Sequence, residues 1–169
     1  IVASNCCPAL FDKLLGAGCK VWVWHTTPDS IGTHEASDLL KAKYPDTWLQ
    51  IGGGSTIGVR LINIGYVLGY RKFHLHGFDS SFRGTTTHAY PDRRDGAWAE
   101  QSSIEINGYP TSLNFLGQLT SFANTLAHLE SGATEPCAIT MHGDGLLQAA
   151  YRHYRANPGM SPQEAFTSW

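Results

Sequence analysis

A glycine-rich turn is the feature of this sequence that most directly suggests ligand chemistry: Gly52-Gly53-Gly54-Ser55-Thr56. It lies between an apolar run, 48–51, and a segment with helical spacing of apolar residues. Glycines let backbone N–H groups approach an anion, the following helix adds partial positive charge at its N-terminus, and the two hydroxyl groups add donors. The turn matches neither the GxGxxG fingerprint nor the Walker A loop. It predicts a phosphate or carboxylate site, with a plain turn capped by Ser55 or Thr56 as the alternative.

Asp79 is the second candidate, because it follows a predicted strand at 72–76 through Gly77 and Phe78. Open α/β sheets bind their ligands at the carboxyl ends of strands. A carboxylate there can hold Mg²⁺, bind a ribose hydroxyl or act as a catalytic base. Ser80 and Ser81 follow directly, so a helix or turn cap is the alternative role of this residue.

A long polar loop, 80–96, carries His88 and Tyr90. Loops of this length inside compact domains are commonly functional lids. His88 can donate to a phosphate or transfer a proton, and a solvated loop histidine is the alternative. Three arginines of the same loop can clamp phosphates or simply carry surface charge: Arg83, Arg93 and Arg94.

Polar residues also follow the other predicted strands. Asn5 comes after the first strand, and His25 and Thr26 come after the second, so all three can reach the same crevice. The segment 142–145, His-Gly-Asp-Gly, follows the last predicted strand and fits a turn with a helix cap. These residues extend the candidate ligand site along the carboxyl edge of the sheet.

His74 and His76 alternate on one predicted strand and therefore share a face. In a sheet covered on both sides, that face is buried under helices. We expect both histidines to be buried and not to bind a metal, because no third ligand has a diagnostic spacing.

The elements that must position these residues alternate between strands and helices. Strands are predicted near 1–4, 20–25, 47–51, 72–77 and 138–141. Helices are predicted near 8–15, 35–43, 57–69, 113–129 and 146–155, the third with Ile57, Leu61, Ile64 and Leu68 on one face. Asn107-Gly108 is typical of a hairpin turn. The order predicts one α/β domain over 1–169, with a mostly parallel sheet and helices on both faces.

Composition narrows the class of partner. The 169 residues carry a net charge of −2, and no basic stripe stands out, so nucleic acid is not expected as a partner. No apolar run approaches the length of a membrane span, and no signal peptide is visible. We expect a cytoplasmic protein with reduced cysteines and a small-molecule ligand. A homo-oligomer is compatible with the sequence.

The turn 53–58, the helix ending at Leu68-Gly69, the strand 73–79 ending in Gly-Phe-Asp, and His88 together resemble the 6-hydroxymethylpterin diphosphokinase MptE-like domain family. The resemblance covers roughly residues 1–130. It implies a Rossmann-like three-layer fold and a transferase that moves pyrophosphate from ATP to a hydroxymethylpterin with Mg²⁺. Ser55, Thr56, Asp79 and His88 are the matching polar positions. The related motility accessory factors resemble sialyltransferases, which implies a nucleotide sugar as the alternative substrate.

One element of the family is not found in these residues, an opening strand followed by a G-x-G-P-S-L turn. Two expectations follow. Either the chain is a fragment that lacks an upstream βα unit, or the element never existed and nucleotide binding is in doubt. A ligand-binding domain without catalytic activity is therefore a third functional hypothesis, beside the diphosphokinase and the glycosyltransferase.

Overall fold

A computed structural model describes residues 1–3, 6–24, 34–46, 51, 54–83, 103–131 and 135–169. The chain is mixed α/β with small parallel sheets, in agreement with the predicted class. It divides into two compact units, Ile1–Gly53 and Gly54–Trp169. In the described parts, no helix combines the length and the apolar character needed to cross a bilayer.

The first unit contains a short parallel strand pair. Strand β1 (Val2–Ala3) pairs with β2 (Val23–Trp24), and helix α1 (Pro8–Gly16) connects them. Pro8 occupies the first turn of α1, where its missing N–H costs nothing. Helix α2 (His34–Lys43) follows. The βαβ order predicted for this part of the chain is confirmed, whereas the strand predicted at 47–51 lies outside the described residues except for Ile51.

The second unit is built on two parallel strands, β3 (Lys72–Leu75) and β6 (Ala138–Met141). Phe73 pairs with Ile139 and Leu75 with Met141, so the apolar residues of both strands point to the same face. That face packs against the apolar core of the unit. Because the strands are parallel, the segments after Leu75 and Met141 leave the sheet at the same edge.

Four helices supply the rest of this core: α3 (Ile57–Val67), α4 (Leu113–Ser131), α5 (Leu146–Ala156) and α6 (Pro162–Ser168). Phe122 of α4 and Leu146 and Leu147 of α5 are completely buried. The sequence predicted α3, α4 and α5 but not α6. Its signal is the capping box, in which Ser161 and Glu164 satisfy each other's backbone N–H groups.

A two-stranded hairpin, β4 (Ile104–Ile106) and β5 (Tyr109–Thr111), confirms the predicted turn. Asn107 and Gly108 have φ values of 50° and 82°, the left-handed conformation of a tight hairpin turn. The hairpin is tied to the segment that follows β3. Phe82 N donates to Pro110 O at 2.7 Å, and Thr111 Oγ1 donates to Ser80 O at 2.7 Å.

The buried face of α3 differs in part from the predicted one. Of the predicted residues, Ile64 is buried, but Ile57, Leu61 and Leu68 are 59%, 47% and 42% exposed. Val59 and Ile62 are buried instead. The cause is a pair of glycines seven residues apart. Gly58 lies against the ring of Phe78, and Gly65 lies against the ring of Phe73. These contacts turn the glycine face toward the sheet and place the N-terminus of α3 at the carboxyl end of β3.

The expectation that His74 and His76 are buried is wrong, since both side chains are exposed. They share the outer face of the sheet with Lys72 and Thr140, which are also exposed. The physical reason is that the described helices of this unit pack on the opposite face, the one that carries Phe73 and Leu75. The sequence correctly predicts that His74 and His76 share one face of the strand. The alternation of side chains does not show which face of the sheet the helices cover.

The contact between Gly65 and Phe73 predicts that alanine is tolerated less well at position 65 than at position 117. A Cβ on residue 65 would lie 2.7 Å from Phe73 Cε1, whereas a Cβ on Gly117 of α4 would meet no atom within 4 Å. Gly65→Ala should lower the free energy of unfolding by about 1 kcal/mol, since overpacking costs about 1–3 kcal/mol and helix propensity returns about 1.

The matched control is Gly117→Ala, which should raise the free energy of unfolding by up to about 1 kcal/mol. Urea denaturation monitored by circular dichroism measures both changes. Equal stabilisation by the two substitutions would contradict the close packing of α3 on β3.

Candidate functional site

The segment that follows β3 caps the helix that follows β6. Leu147 N donates to Asp79 O at 3.1 Å, and Leu146 N donates to Ser81 Oγ at 3.2 Å. The N-cap residue of α5 is Gly145, which has no side chain to perform this role. The capping role that the sequence left open for Asp79 is therefore performed by its main-chain carbonyl, and the carboxylate remains available for other chemistry.

The carboxylate of Asp79 is held by one side chain. Gln148 Nε2 donates to Asp79 Oδ1 at 3.0 Å and to His142 O at 3.1 Å. Gln148 is only 1% exposed, so its amide is a fixed donor. Within the described part of the chain, Oδ2 of Asp79 accepts no hydrogen bond, which leaves one carboxylate oxygen for a ligand.

Two glycines make room for this carboxylate. A Cβ on Gly145 would lie 2.5 Å from Asp79 O, and a Cβ on Gly143 would lie 3.0 Å from Asp79 Oδ1. Gly143 also has a φ of 117°, which other residues rarely adopt. The His-Gly-Asp-Gly segment was interpreted from sequence as a turn with a helix cap. It is such a turn, and it also forms one wall around Asp79.

The N-terminus of α3 lies beside the same segment. Thr56 is the N-cap of α3, and its Oγ1 accepts from Val59 N at 3.5 Å. Gln118 of α4 connects this cap to the residue after Asp79, because its Nε2 donates to Thr56 Oγ1 at 3.4 Å and its Oε1 accepts from Ser80 Oγ at 2.9 Å. The positive end of the helix and the Asp79 segment are thus joined through one glutamine.

Arg60 is a charged residue at this turn that the sequence analysis missed. Its Nε donates to Gly54 O at 2.8 Å, so a guanidinium lies next to the N-terminus of α3. Ser55 N donates to Ser121 Oγ at 3.1 Å, while Ser55 itself is exposed. The signal for Arg60 was its position four residues after Thr56, on the first helical turn. The turn therefore combines a helix N-terminus, a partly buried guanidinium and an exposed serine.

The structure describes four of the residues that the sequence assigned to the site: Gly54, Ser55, Thr56 and Asp79. The others lie outside the described residues: Asn5, His25, Thr26, Gly52, Gly53, His88 and Tyr90. Their convergence on the edge that carries Asp79 stays a prediction.

Three histidines cluster on the outer face at this edge. His74 Nδ1 and His142 Nε2 are 3.0 Å apart, and the rings of His76 and His142 stack with centroids 4.1 Å apart. Desolvation lowers the pKa of His142 below its ordinary value, and the neighbouring His76 and His74 lower it further. Within the described ranges, no group of three or more His, Cys, Asp or Glu side chains is already arranged to hold a metal ion.

A charged pair flanks the edge. Arg83 Nη2 lies 2.8 Å from Asp144 Oδ1, and both side chains are largely exposed. An exposed ion pair of this kind contributes little to stability. It is easily opened by a charged ligand, so the phosphate-clamp and surface-charge interpretations of Arg83 both remain compatible with the geometry.

A separate cavity of about 440 Å³ lies at the amino end of β6. It is lined by residues of α4, β6, α5 and the segment before β6, among them Leu126, Glu130, Cys137, Ile139 and Arg155. Asp79 and the N-terminus of α3 are not among the lining residues. Asp79, at the carboxyl end of β3, therefore lies at the opposite edge of the sheet from this cavity.

Comparison of the chain with protein-family models, with curated protein sequences and with solved structures returned no match.

The close approach of Gly145 to Asp79 predicts a strong effect of a single methyl group. The backbone of Asp79, rather than a flexible side chain, meets the added atom. Gly145→Ala should therefore move the Asp79 segment and lower the free energy of unfolding by about 1–3 kcal/mol. Urea denaturation measures the loss.

Gly159→Ala is the matched control, since an added Cβ at that position meets no atom within 4 Å. An unchanged midpoint for Gly145→Ala would contradict the described wall around Asp79.

Tyr154 predicts a dependence of stability on pH. Burial and the hydrogen bond that its hydroxyl donates to Glu130 raise the pKa of Tyr154 to about 12. In the unfolded chain this pKa is about 10. The folded state therefore holds the hydroxyl proton more tightly than the unfolded chain does. The resulting stabilisation of the fold is fully present below pH 10 and is lost as the pH rises toward 12.

The measurement is the melting temperature at several pH values from 8 to 12, for the wild type and Tyr154→Phe. The difference between the two proteins should be constant up to about pH 10 and should shrink between about pH 10 and pH 12. Tyr70→Phe serves as the control, since Tyr70 is 64% exposed. A difference that does not change with pH would contradict the role of the hydroxyl proton.

Proposed function

We propose that the chain is a transferase that acts on a nucleotide-activated or phosphorylated substrate, with a Rossmann-like three-layer fold of the 6-hydroxymethylpterin diphosphokinase MptE-like family. The reaction proposed is the transfer of pyrophosphate from ATP, with a cytoplasmic small molecule as acceptor. The observation that carries the proposal is the packing of Phe78 against Gly58. It joins the N-terminus of α3 to the segment that bears the Asp79 carboxylate.

The distribution of charge at this edge suits a nucleotide phosphate with its cation. The N-terminus of α3 and the guanidinium of Arg60 form a positive side, and Asp79 forms a negative side. Phosphate oxygens are stabilised by helix N-termini and arginine. Mg²⁺ is commonly held by one or two carboxylates together with substrate phosphates. A magnesium nucleotide therefore satisfies both sides at once, which a simple anion does not.

Asp79 fits the role of a Mg²⁺ ligand. Gln148 fixes Oδ1 through a hydrogen bond of 3.0 Å, which orients the carboxylate. The other oxygen is engaged by no described residue. When bound, Mg²⁺ would neutralise charge on the phosphates during transfer. Asp79 is proposed as the residue that positions it.

The remaining residues have supporting roles in this proposal. Thr56 fixes the start of α3, and Gln118 holds Thr56 and Ser80 at a constant separation. Gly52, Gly53 and Ser55 would approach the phosphates, and His88 would donate to a phosphate or transfer a proton. Tyr90 would contact the rest of the substrate, and the substrate contacts of Asn5, His25 and Thr26 stay predictions from the sequence. Positioning and charge neutralisation would then account for most of the catalysis.

The test compares nucleotide binding by Asp79→Asn and Arg60→Gln with and without Mg²⁺. Asp79→Asn keeps the shape of the side chain but removes its charge, so it should weaken binding of ATP with Mg²⁺ at least about tenfold, about 1.4 kcal/mol, and change metal-free binding less. Arg60→Gln removes a phosphate contact and should weaken both. Isothermal titration calorimetry gives the affinities.

Arg155→Gln is the control for a change of charge, because Arg155 lines the cavity at the amino end of β6. Equal affinity of the wild type and Asp79→Asn for ATP with Mg²⁺ would exclude the metal role. A thermal-shift comparison of ATP, CMP, UDP and their sugars identifies the nucleotide. A preference for a nucleotide sugar would redirect the proposal to a glycosyltransferase, and binding without turnover would leave a ligand-binding domain.

A further inference from the structure

The histidine cluster on the outer face combines features that the sequence did not connect. His142 is separated from His74 by 68 positions, yet their ring nitrogens are 3.0 Å apart, because Leu75 of β3 pairs with Met141 of β6. His76 adds a third imidazole, stacked on His142. The sequence argued against a metal site because it showed no third ligand at a diagnostic spacing from His74 and His76. Beside that pair, His142 supplies the third imidazole.

The distance between the two nitrogens fits a shared metal ion. Imidazole nitrogens bind Zn²⁺ at about 2.0–2.1 Å, so two ligands of one tetrahedral ion have their nitrogens roughly 3.3 Å apart. The 3.0 Å between His74 Nδ1 and His142 Nε2 is within a few tenths of an ångström of that separation. An ion that replaces the shared proton therefore needs rotation of the two rings but no displacement of the strands.

We propose that His74 and His142 bind one divalent transition-metal ion of the class that prefers imidazole, Zn²⁺ or Cu²⁺, and that His76 joins them as a third ligand. No three side chains of the described residues converge on one point as they stand, so the third ligand requires a change of rotamer at His76. Its side chain is exposed, which leaves room for that rotation. Water completes the coordination shell.

The proton balance of this step is defined. In the hydrogen bond between the two rings, one of the two facing nitrogens carries the proton. On metal binding, that ring passes to its other tautomer, with the proton on its second nitrogen, and both facing nitrogens donate a lone pair to the ion. No net proton is released while both imidazoles are neutral.

This site differs from the one proposed at Asp79. It uses nitrogen ligands, which favour Zn²⁺ or Cu²⁺, whereas a carboxylate with phosphate oxygens favours Mg²⁺. The two are distinguished by substitution, because His74→Asn leaves Asp79 and Gln148 unchanged and Asp79→Asn leaves the three imidazoles unchanged. Failure of one proposal therefore does not imply failure of the other.

The experiment titrates untagged, EDTA-treated and dialysed protein with ZnCl₂ at pH 7.5 in a calorimeter. We expect one ion per chain, and an affinity that falls at least about tenfold in His74→Asn and in His142→Asn. His128→Asn is the matched control, since His128 is an exposed histidine on α4, and it should bind Zn²⁺ like the wild type. Melting curves in EDTA verify that each variant is folded.

Electron paramagnetic resonance of the Cu²⁺ complex provides a readout that a structural role would not change. The spectrum should contain nitrogen couplings from imidazoles, with one fewer in His142→Asn and one fewer in His76→Asn. Absence of stoichiometric Zn²⁺ binding by the wild type would overturn the proposal, as would equal affinities of the wild type and His74→Asn. Unchanged nitrogen couplings in His76→Asn would overturn its part as the third ligand.

Discussion

The close approach of the Asp79 backbone to Gly145 is the contact on which the carboxyl edge of the second unit depends. A Cβ on Gly145 would lie 2.5 Å from Asp79 O, so only glycine permits the hydrogen bond from Leu147 N to that carbonyl. The bond connects the loop after β3 to the helix after β6. Because Gln148 lies one residue further along this helix, the same contact sets where its amide meets the Asp79 carboxylate. The geometry of the proposed site is thus a consequence of backbone packing.

A similar constraint acts on the other side of the edge. The glycines of α3 allow the rings of Phe73 and Phe78 to lie against the helix, and the helix axis follows from these two contacts. Larger residues would hold α3 further from the sheet and would move its N-terminus, and with it Arg60, away from Asp79. The positive and negative sides of the site are therefore positioned by apolar packing, and their electrostatic pairing is a result of that packing.

Most strands and helices of the second unit are predicted by the sequence. The spacing of apolar residues predicted β3, β6 and three of the helices, and Asn107-Gly108 predicted the hairpin. Periodicity failed where packing depends on a residue without a side chain, as on α3, whose glycine face is buried. It also could not tell that the face with His74 is exposed, or that His142 returns to it through β6. Both facts depend on long-range pairing, which local patterns do not encode. Of the described candidate site, the sequence identified Gly54, Ser55, Thr56 and Asp79. It did not identify Arg60 or Gln148, whose roles depend on contacts made in the folded chain.

The glutamine that orients Asp79 has an energetic cost that supports a functional interpretation. Gln148 is 1% exposed and donates both amide hydrogens, while its Oε1 has no partner among the described residues. A buried acceptor in this state costs about 1–3 kcal/mol. An apolar residue of the same length would avoid that cost but would leave the carboxylate of Asp79 without its donor. The cost is understandable where the orientation of the carboxylate matters, because a fixed carboxylate binds a cation without first losing rotational freedom. The packing of this edge therefore favours the precise placement of one charge over the most stable core.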